Sequence, residues 1–354
     1  GESLNFRAEL DSLRTYVPPK SWRMAAEGTD EHRYAKLTSN ELAFGPLPEA
    51  RAALAEVLPR ANRYPDSHVS RLRQAVADAN VGTETGNVLV GNGSSEVLFN
   101  ALQLLPPGGE IVFPWPSFSL YPTVCAVLGM TARPVPLDEG NGMDVEALLS
   151  AVGPQTRAMI VCNPNNPSGT YLALDEVRGL ADRLPDDVLL ILDEAYVEFV
   201  DDPTYTNSHA LALERENVLV ARTFSKAYGL AGLRIGYGIA SAPIADYAER
   251  VRFPVSVNLA AQVAATASMF ARDKIRQRAE FVIGERKRLQ DAFENARLPF
   301  IPSQGNFVMV RFEAADFERA GILVREGEAL GYPGWSRVTV GDTWENDRAI
   351  GALS

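Results

Sequence analysis

Residues 192–196, with the sequence LDEAY, follow directly on an apolar run at 188–192. A carboxylate fixed at this point, on Asp193, can keep the nitrogen of a heterocyclic ring protonated, which makes the ring an acceptor of electrons. A cationic nitrogen beside Asp193 favours the ionised carboxylate in turn. Tyr196, three residues on, can reach a hydroxyl group on the same ring. The plain alternatives are an aspartate that caps the next helix and a tyrosine half buried in the core.

Residues 222–234 (RTFSKAYGLAGLR) place a lysine among hydroxyl groups, glycines and arginines. Lys226 must be neutral to attack an aldehyde, and cationic neighbours together with partial desolvation lower the pKa of a lysine. The hydroxyls of Thr223 and Ser225 and the guanidinium of Arg234 suit a dianionic phosphate. A Ser-Lys pair alone is weak evidence, since surface lysines are common. The combination predicts a reactive amine beside a phosphate site.

Residues 91–96 (GNGSSE) follow another β-rich run, at 87–90, and open a helix. The free backbone N–H groups and the dipole at a helix start attract anions, so this segment is a candidate anion site. Ser94 can equally be an ordinary N-cap, and the two interpretations are compatible. The segment is not a GxGxxG dinucleotide motif.

Residues 163–169 (NPNNPSG) follow the run AMIVC at 158–162. Asn, Pro and Gly favour turns, so this composition by itself requires no function. Its position after a predicted strand, like that of the other three segments, makes Asn166 a candidate donor to an oxygen on the bound ring.

Short β-rich runs alternate with helical patterns through the middle of the chain, such as those at 95–105 and 174–184. The runs are 87–90 (NVLV), 110–113 (EIVF), 158–162 (AMIVC), 188–192 (VLLIL), 218–221 (VLVA) and 234–239 (RIGYGI). This order predicts an α/β fold whose mostly parallel central sheet is flanked by helices. Ligands of such sheets bind at the carboxyl ends of the strands, so we expect the four segments to meet there.

The pattern changes after about residue 255. A long helical segment is predicted from 259 towards 296, with arginines and lysines along one solvated face. Short runs then follow at 306–310, 322–324 and 337–340. We expect a large domain over 46–254 and a smaller α+β domain over 255–354. The arm at 1–45 is expected to pack near the small domain or to arch over the site.

Composition excludes several classes of protein. The 354 residues, 46% hydrophobic and 22% charged, are typical of a globular protein of about two domains. A formal net charge of -11 argues against a general nucleic-acid binder. The sequence has no apolar run of 18 residues and no basic-then-apolar start, so we expect neither a membrane span nor a signal peptide.

Two cysteines, Cys125 and Cys162, lie in apolar stretches outside any CxxC pair. We expect buried thiols and a reducing, cytoplasmic location. The histidines His32, His68 and His209 are far apart and surrounded by polar residues, so surface or loop positions are expected and no metal site is predicted.

All four segments together resemble fold-type I pyridoxal-phosphate (PLP) enzymes, the aspartate-aminotransferase superfamily. Within it, the chain resembles the histidinol-phosphate aminotransferase family, including its aromatic branch, from about Tyr16 to Asn346. The specific motifs are TSNE at 38–41, NRYP at 62–65, NPNNPSG at 163–169, DEAY at 193–196 and SKAYGLAGLR at 225–234.

The resemblance implies that PLP is held as a Schiff base on Lys226, which also moves a proton between the substrate α-carbon and C4′ of the cofactor. It implies that Asp193 pairs with the pyridinium nitrogen and that Asn166 and Tyr196 bind the 3′ oxygen. Phe118 matches an aromatic residue that stacks on the ring; many members have Tyr there, so a hydroxyl is lost. The implied phosphate ligands are Ser94, Ser95, Thr223, Ser225 and Arg234.

Tyr64 resembles a tyrosine that reaches the phosphate from the neighbouring subunit, which implies a homodimer with shared active sites. The alternative for Tyr64 is a simple turn at Tyr-Pro. Arg337 matches the arginine that binds the anionic end of the substrate, carboxylate or phosphate. Arg325, Tyr16 and Asn40 match further residues near the substrate, although Arg325 can also be read as a solvated charge.

The implied activity is amino transfer from L-histidinol phosphate to 2-oxoglutarate, giving imidazole acetol phosphate and L-glutamate, in histidine biosynthesis. Residues 333–342 (PGWSRVTVGD) resemble that family. The alternative is an aromatic (phenylalanine) aminotransferase, because residues 113–122 (FPWPSFSLYP) resemble a branch in which both activities occur. Close relatives that decarboxylate amino-acid phosphates are a further alternative. A PLP-binding regulator or a dinucleotide module would need a basic helix-turn-helix or a glycine fingerprint, which the sequence lacks.

Overall fold

The computed structural model describes residues 3–28 and 33–354, which contain two β-sheets and their covering helices. The strands are β1 (Ala35–Leu37), β2 (Val88–Gly91), β3 (Glu110–Trp115), β4 (Thr131–Pro136), β5 (Thr156–Cys162), β6 (Leu189–Asp193), β7 (Val218–Thr223), β8 (Gly236–Ile239), β9 (Phe300–Ile301), β10 (Phe307–Val310), β11 (Ile322–Glu326) and β12 (Ser336–Thr339).

Most of the helices connect successive strands. They are α1 (Lys20–Glu27), α2 (Pro48–Val57), α3 (Ser70–Ala79), α4 (Gly93–Leu102), α5 (Leu120–Leu128), α6 (Val145–Ser150), α7 (Leu174–Arg183), α8 (Ala210–Glu214), α9 (Ala242–Val251), α10 (Leu259–Phe270), α11 (Arg272–Asn295), α12 (Ala314–Arg319) and α13 (Thr343–Gly351). No helix within 3–28 or 33–354 combines the length and apolar character that a membrane crossing requires.

The larger sheet has the order β2-β8-β7-β6-β5-β3-β4 in the described part of the chain. Strands β3 to β7 pair in parallel, whereas β8 is antiparallel to both β7 and β2. Since two antiparallel pairings restore the direction, β2 runs with β7. The carboxyl ends of β2, β5, β6 and β7 therefore lie at one edge, and the predicted α/β fold with a mostly parallel sheet is confirmed.

Continuous apolar runs build this sheet because both of its faces are buried. Along β6, Leu190 and Leu192 belong to one buried cluster, while Leu189 and Ile191 belong to another. Side chains of a strand alternate between faces, so two covered faces require an uninterrupted apolar run. This is the pattern that made the central strands recognisable in the sequence.

Two elements add to what the sequence patterns predicted. Strand β4 was not predicted, because its sequence TARPVP is mostly exposed and contains two prolines, which suit only an edge strand. The long helical segment predicted from 259 towards 296 is helical, but it consists of two helices, α10 and α11, separated at Ala271, where the backbone leaves the helical region (φ -109°, ψ 31°).

The smaller sheet has the order β1-β11-β12-β10-β9 among the described strands. Strand β1 comes from the N-terminal arm and pairs in parallel with β11, so part of the arm is built into this sheet. The short strands β1 and β9 were missed by the sequence patterns. Helix α10 packs against α2 and α3. The domain limits at 46 and 255 stay predictions.

Two charged or polar residues are more buried than expected. Arg286 on α11 is buried rather than on a solvated face, and its Nη1 donates to the carbonyl oxygens of Phe199 (2.7 Å) and Gly305 (3.0 Å). His209 lies just before α8 but is also buried, whereas His68 is exposed. His32 lies outside the described residues. Both cysteines are buried free thiols, as predicted.

Candidate active site

Asp193 is the last residue of β6 and lies between Cys162 of β5 and Ala221 of β7 in the sheet register. Its carboxylate is buried, and the hydroxyl of Tyr121 donates to Oδ2 at 2.6 Å. The other oxygen, Oδ1, is buried without a hydrogen-bond partner from the described residues. Burial raises the pKa of Asp193, and the Tyr121 hydrogen bond opposes that rise. One carboxylate oxygen is thus available to accept a hydrogen bond from a ligand.

Lys226 follows the end of β7 and is half-buried at the same edge of the sheet. Its Nζ lies 5.6 Å from the centroid of the Tyr196 ring and donates to the carbonyl oxygen of Ser39 at 3.2 Å. Burial, followed by the positive charges of Arg337 and Arg234, lowers the pKa of Lys226 to about 8. A larger fraction of this amine is therefore neutral near physiological pH than in an exposed lysine.

The start of α4 meets the loop after β7 in a narrow, glycine-lined cradle. Arg234 donates from Nη1 to Oγ of Ser225 at 3.0 Å, and its Nη2 would lie 2.5 Å from a Cβ added at Gly93. A Cβ at Gly236 would lie 2.4 Å from the backbone nitrogen of Ser94. Backbone N–H groups, hydroxyls and a guanidinium are therefore concentrated at a helix N-terminus, which suits an anion.

The alternative that Ser94 is an ordinary N-cap does not hold. Helix α4 begins at Gly93 after Asn92, and Ser94 and Ser95 both lie in its first turn. Thr223 supports the adjacent loop, since its Oγ1 accepts a hydrogen bond from the backbone N–H of Ser225 at 3.0 Å. The five residues predicted at the phosphate therefore lie on the two segments that form this cradle.

Tyr196 lies between two amides. Its hydroxyl oxygen accepts from Nδ2 of Asn40 at 3.0 Å and from Nδ2 of Asn166 at 3.3 Å. Burial raises the pKa of Tyr196 to about 12. The phenol therefore keeps its proton at neutral pH, and with both amides donating to its oxygen, that proton can be donated to a ligand.

Arg337 and Arg325 face each other on the antiparallel strands β12 and β11. Arg337 is buried and donates to Oδ1 of Asn166 (2.8 Å) and to the carbonyl oxygen of Thr38 (2.7 Å). Burial, with Arg325 contributing, lowers the pKa of Arg337 to about 10. Over 3–28 and 33–354, neither arginine has an ion pair with a carboxylate. Two adjacent cations without counter-charge favour an anionic ligand.

Three aromatic residues that were predicted to belong to the site lie outside the central group of side chains around Asp193 and Lys226. Phe118 packs edge-on against Tyr121, with ring centroids 5.7 Å apart. Tyr16 is 61% exposed, packs on Trp22, and lies near enough to Arg337 to influence its pKa. Tyr64 is 88% exposed. It lines a separate groove of about 540 Å³ formed by residues 57–65 and 255–260, so a single chain does not bring it to the other site residues.

Tyr121 and Ser39 were missed by the sequence reasoning. Tyr121 lies in the otherwise apolar helix sequence LYPTVCAVL. A tyrosine buried in such a helix needs a partner for its hydroxyl, which is the signal that could have identified it. Ser39 contributes a carbonyl oxygen, which no side-chain pattern reveals. No group of three or more potential metal-ligating side chains is found among the residues that the structure describes.

Comparisons with known proteins agree on one family. A sequence model of the family described as aminotransferase class I and II matches residues 33–353. A histidinol-phosphate aminotransferase of Rubrobacter xylanophilus is 66% identical over 99% of this chain and 100% of its own length. An aromatic amino acid aminotransferase of Rhodococcus jostii is 40% identical over 96% of this chain and 93% of its own.

A solved structure is also similar over nearly the full length. The histidinol-phosphate aminotransferase of Sinorhizobium meliloti in complex with pyridoxal-5'-phosphate has a TM-score of 0.88 and 28% sequence identity. The match covers 99% of this chain and 97% of that one.

Proposed function

Since the chain belongs to the class I and II aminotransferase family, we propose that it transfers the amino group of L-histidinol phosphate to 2-oxoglutarate. The products are imidazole acetol phosphate and L-glutamate. The observation that carries this choice of donor is the 66% identity, over the whole chain, to a protein named for that activity. Relatives named aromatic amino acid aminotransferases are 39–40% identical, which makes that activity the second candidate.

Pyridoxal phosphate is the cofactor in this proposal, and the residues present fit it. The buried, unpartnered Oδ1 of Asp193 can accept a hydrogen bond from the N–H of a pyridinium ring. The partly neutral Lys226 amine suits covalent attachment to an aldehyde. The cradle formed by Ser94, Ser95, Thr223, Ser225 and Arg234 suits a phosphate.

Bound pyridoxal phosphate supplies an aldehyde carbon and an electron-withdrawing ring that takes up the electron pair of the broken α-C–H bond. Lys226 Nζ would take the proton from the substrate α-carbon and would hold it for return to the cofactor. Asp193 would keep the ring nitrogen protonated, Asn166 and Tyr196 would donate hydrogen bonds to the ring oxygen, and Phe118 would lie against the ring.

Arg337, with Arg325 beside it, holds the anionic end of each substrate. The two arginines would bind first the phosphate of histidinol phosphate and then a carboxylate of 2-oxoglutarate, because the planar guanidinium group matches both anions. Asn40, which donates to the hydroxyl of Tyr196, would also contact the substrate. Tyr16, which is close enough to Arg337 to influence its pKa, would lie near the anionic end of the substrate.

The active form in this proposal is a homodimer. Tyr64 is exposed in its own chain and lines an open groove together with residues 255–260, which suits contact with a second copy. From there it would reach the phosphate of the cofactor bound to the partner subunit. A sedimentation measurement, with PLP titration of Tyr64→Phe, tests this arrangement. The cytoplasmic location stays a prediction.

The donor is tested by comparing kcat/KM for histidinol phosphate and phenylalanine with 2-oxoglutarate as acceptor. A strong preference for phenylalanine would establish the aromatic activity instead. Release of carbon dioxide without consumption of the oxoacid would indicate the decarboxylase. Lys226→Ala should remove the absorbance of the lysine-bound cofactor and stop turnover, whereas Lys287→Ala, at an exposed position on α11, should do neither.

A further inference from the structure

Tyr121 lies in the large domain beneath the candidate cofactor site. It is the second residue of α5 and is fully buried, at 0% exposure. Its ring packs between Phe113 (5.8 Å between centroids) and Phe118 (5.7 Å). Its hydroxyl donates to Oδ2 of Asp193 at 2.6 Å, a short hydrogen bond of the kind made to a charged acceptor.

The neighbouring carboxylate, that of Glu194, is an example of a buried carboxylate whose hydrogen bonds are all made within the protein. Glu194 is also fully buried, but both of its oxygens are used: Oε2 accepts from Tyr205 at 2.7 Å, and Oε1 accepts from Ser208 at 2.8 Å. Arg222 adds an ion pair to Oε1 at 3.1 Å. Glu194 is therefore hydrogen-bonded and neutralised within the protein, as a stable buried charge requires.

Asp193 differs from Glu194 in both respects. Only Oδ2 has a hydrogen-bond partner, Oδ1 has none, and no cationic side chain in the described ranges forms an ion pair with it. Folded proteins rarely leave a buried carboxylate oxygen unpaired unless a ligand completes it. The Tyr121 hydroxyl thus occupies one oxygen and leaves the other for the ligand.

We propose that Tyr121 is a positioning residue that fixes the Asp193 carboxylate so that Oδ1 is presented to the ring nitrogen of pyridoxal phosphate and stays ionised there. This inference rests on the proposed function, because it requires that the cofactor bind at this site. The hydroxyl of Tyr121 does not touch the reacting atoms; it acts through Asp193.

Loss of the Tyr121 hydrogen bond should change the protonation of the ring nitrogen that pairs with Asp193. A hydrogen bond to Oδ2 stabilises the carboxylate, so its loss shifts the proton from the ring nitrogen towards Asp193. A neutral ring withdraws electrons less strongly than a pyridinium, so the α-proton is removed more slowly. The anionic end of the substrate is held by Arg337, so substrate KM should be little affected.

The test is Tyr121→Phe in the holoenzyme, with Tyr205→Phe as the matched control. Both changes remove one phenol from a buried carboxylate, so both cost stability. Because a hydrogen bond to a charged group is typically equivalent to about ten-fold or more in an equilibrium constant, we expect kcat to fall by about ten-fold in Tyr121→Phe. The PLP dissociation constant should rise by a similar factor. The pKa of the imine nitrogen that joins Lys226 to the cofactor, followed by absorbance, should increase, because a neutral ring withdraws less charge from it.

Tyr205→Phe should retain the wild-type kcat, PLP affinity and absorbance titration. The proposal is overturned if Tyr121→Phe matches Tyr205→Phe in these three measurements. If Tyr121→Phe does not fold, the same titration is made on Tyr121→His, in which an imidazole N–H replaces the phenol hydroxyl at a different distance from Asp193. An unchanged titration in that variant overturns the proposal. A wild-type protein that shows no cofactor absorbance would instead overturn the proposed function itself.

Discussion

The lowered pKa of Lys226 predicts how fast the cofactor-free protein takes up pyridoxal phosphate at each pH. The ordinary lysine pKa of 10.5 falls to about 8 because of burial and the charges of Arg337 and Arg234. Only the neutral amine attacks an aldehyde. Lowering the pKa by about 2.5 makes the neutral fraction of the amine at pH 7 about 300-fold larger than for an exposed lysine.

The assay is stopped-flow absorbance after mixing cofactor-free protein with pyridoxal phosphate between pH 7 and 10, where the phosphate is already dianionic. The rate of covalent attachment should rise with pH and level off above about 8. Arg337→Gln removes the cation with the largest effect, so it should move the midpoint upward. A wild-type rate that still rises ten-fold per pH unit beyond pH 9 would refute the assigned environment of Lys226.

The same shift predicts the pH dependence of stability. Between about pH 8 and 10.5 the unfolded lysine is protonated while the folded one is largely neutral, so the unfolded state binds more protons. The free energy of unfolding should therefore rise with pH across this window, by up to about 3 kcal/mol, and lose that contribution as the pH falls through 8. Urea unfolding of cofactor-free Lys226→Met should lack this component.

Three other substitutions test separate parts of the structure. Gly236→Ala puts a Cβ 2.4 Å from the Ser94 nitrogen, so the affinity for PLP, measured by equilibrium titration, should fall by about ten-fold or more. An unchanged affinity would contradict the tight packing of this cradle. Arg222→Met leaves Glu194 buried without a counter-charge and should lower the urea unfolding free energy by about 3–5 kcal/mol; a loss below ~1 kcal/mol would speak against this pairing. Arg325→Gln should raise substrate KM by about ten-fold with kcat kept, and an unchanged KM would favour a merely solvated charge.

The sequence alone was enough to predict the central parallel strands of the larger sheet and the functional segments that follow them. Strands covered on both faces must be continuously apolar, so the runs before Asp193 and Lys226 could be recognised locally. Because the carboxyl ends of parallel strands share an edge, the order of the motifs along the chain was enough to predict that these segments meet. Edge and very short strands such as β4 and β1 carry no such pattern, since they are exposed or bury few side chains.

Contacts between residues distant in the chain were decided only by the tertiary structure. The sequence suggested Arg325 and Arg337 one by one, but their facing each other depends on the register of β11 and β12. Tyr121 meets Asp193 across 72 positions because α5, which packs against β4, brings its first turn to the end of β6. Local patterns report which face of an element is buried, whereas the partner of a buried polar group is set by how whole elements pack, and that information is not local.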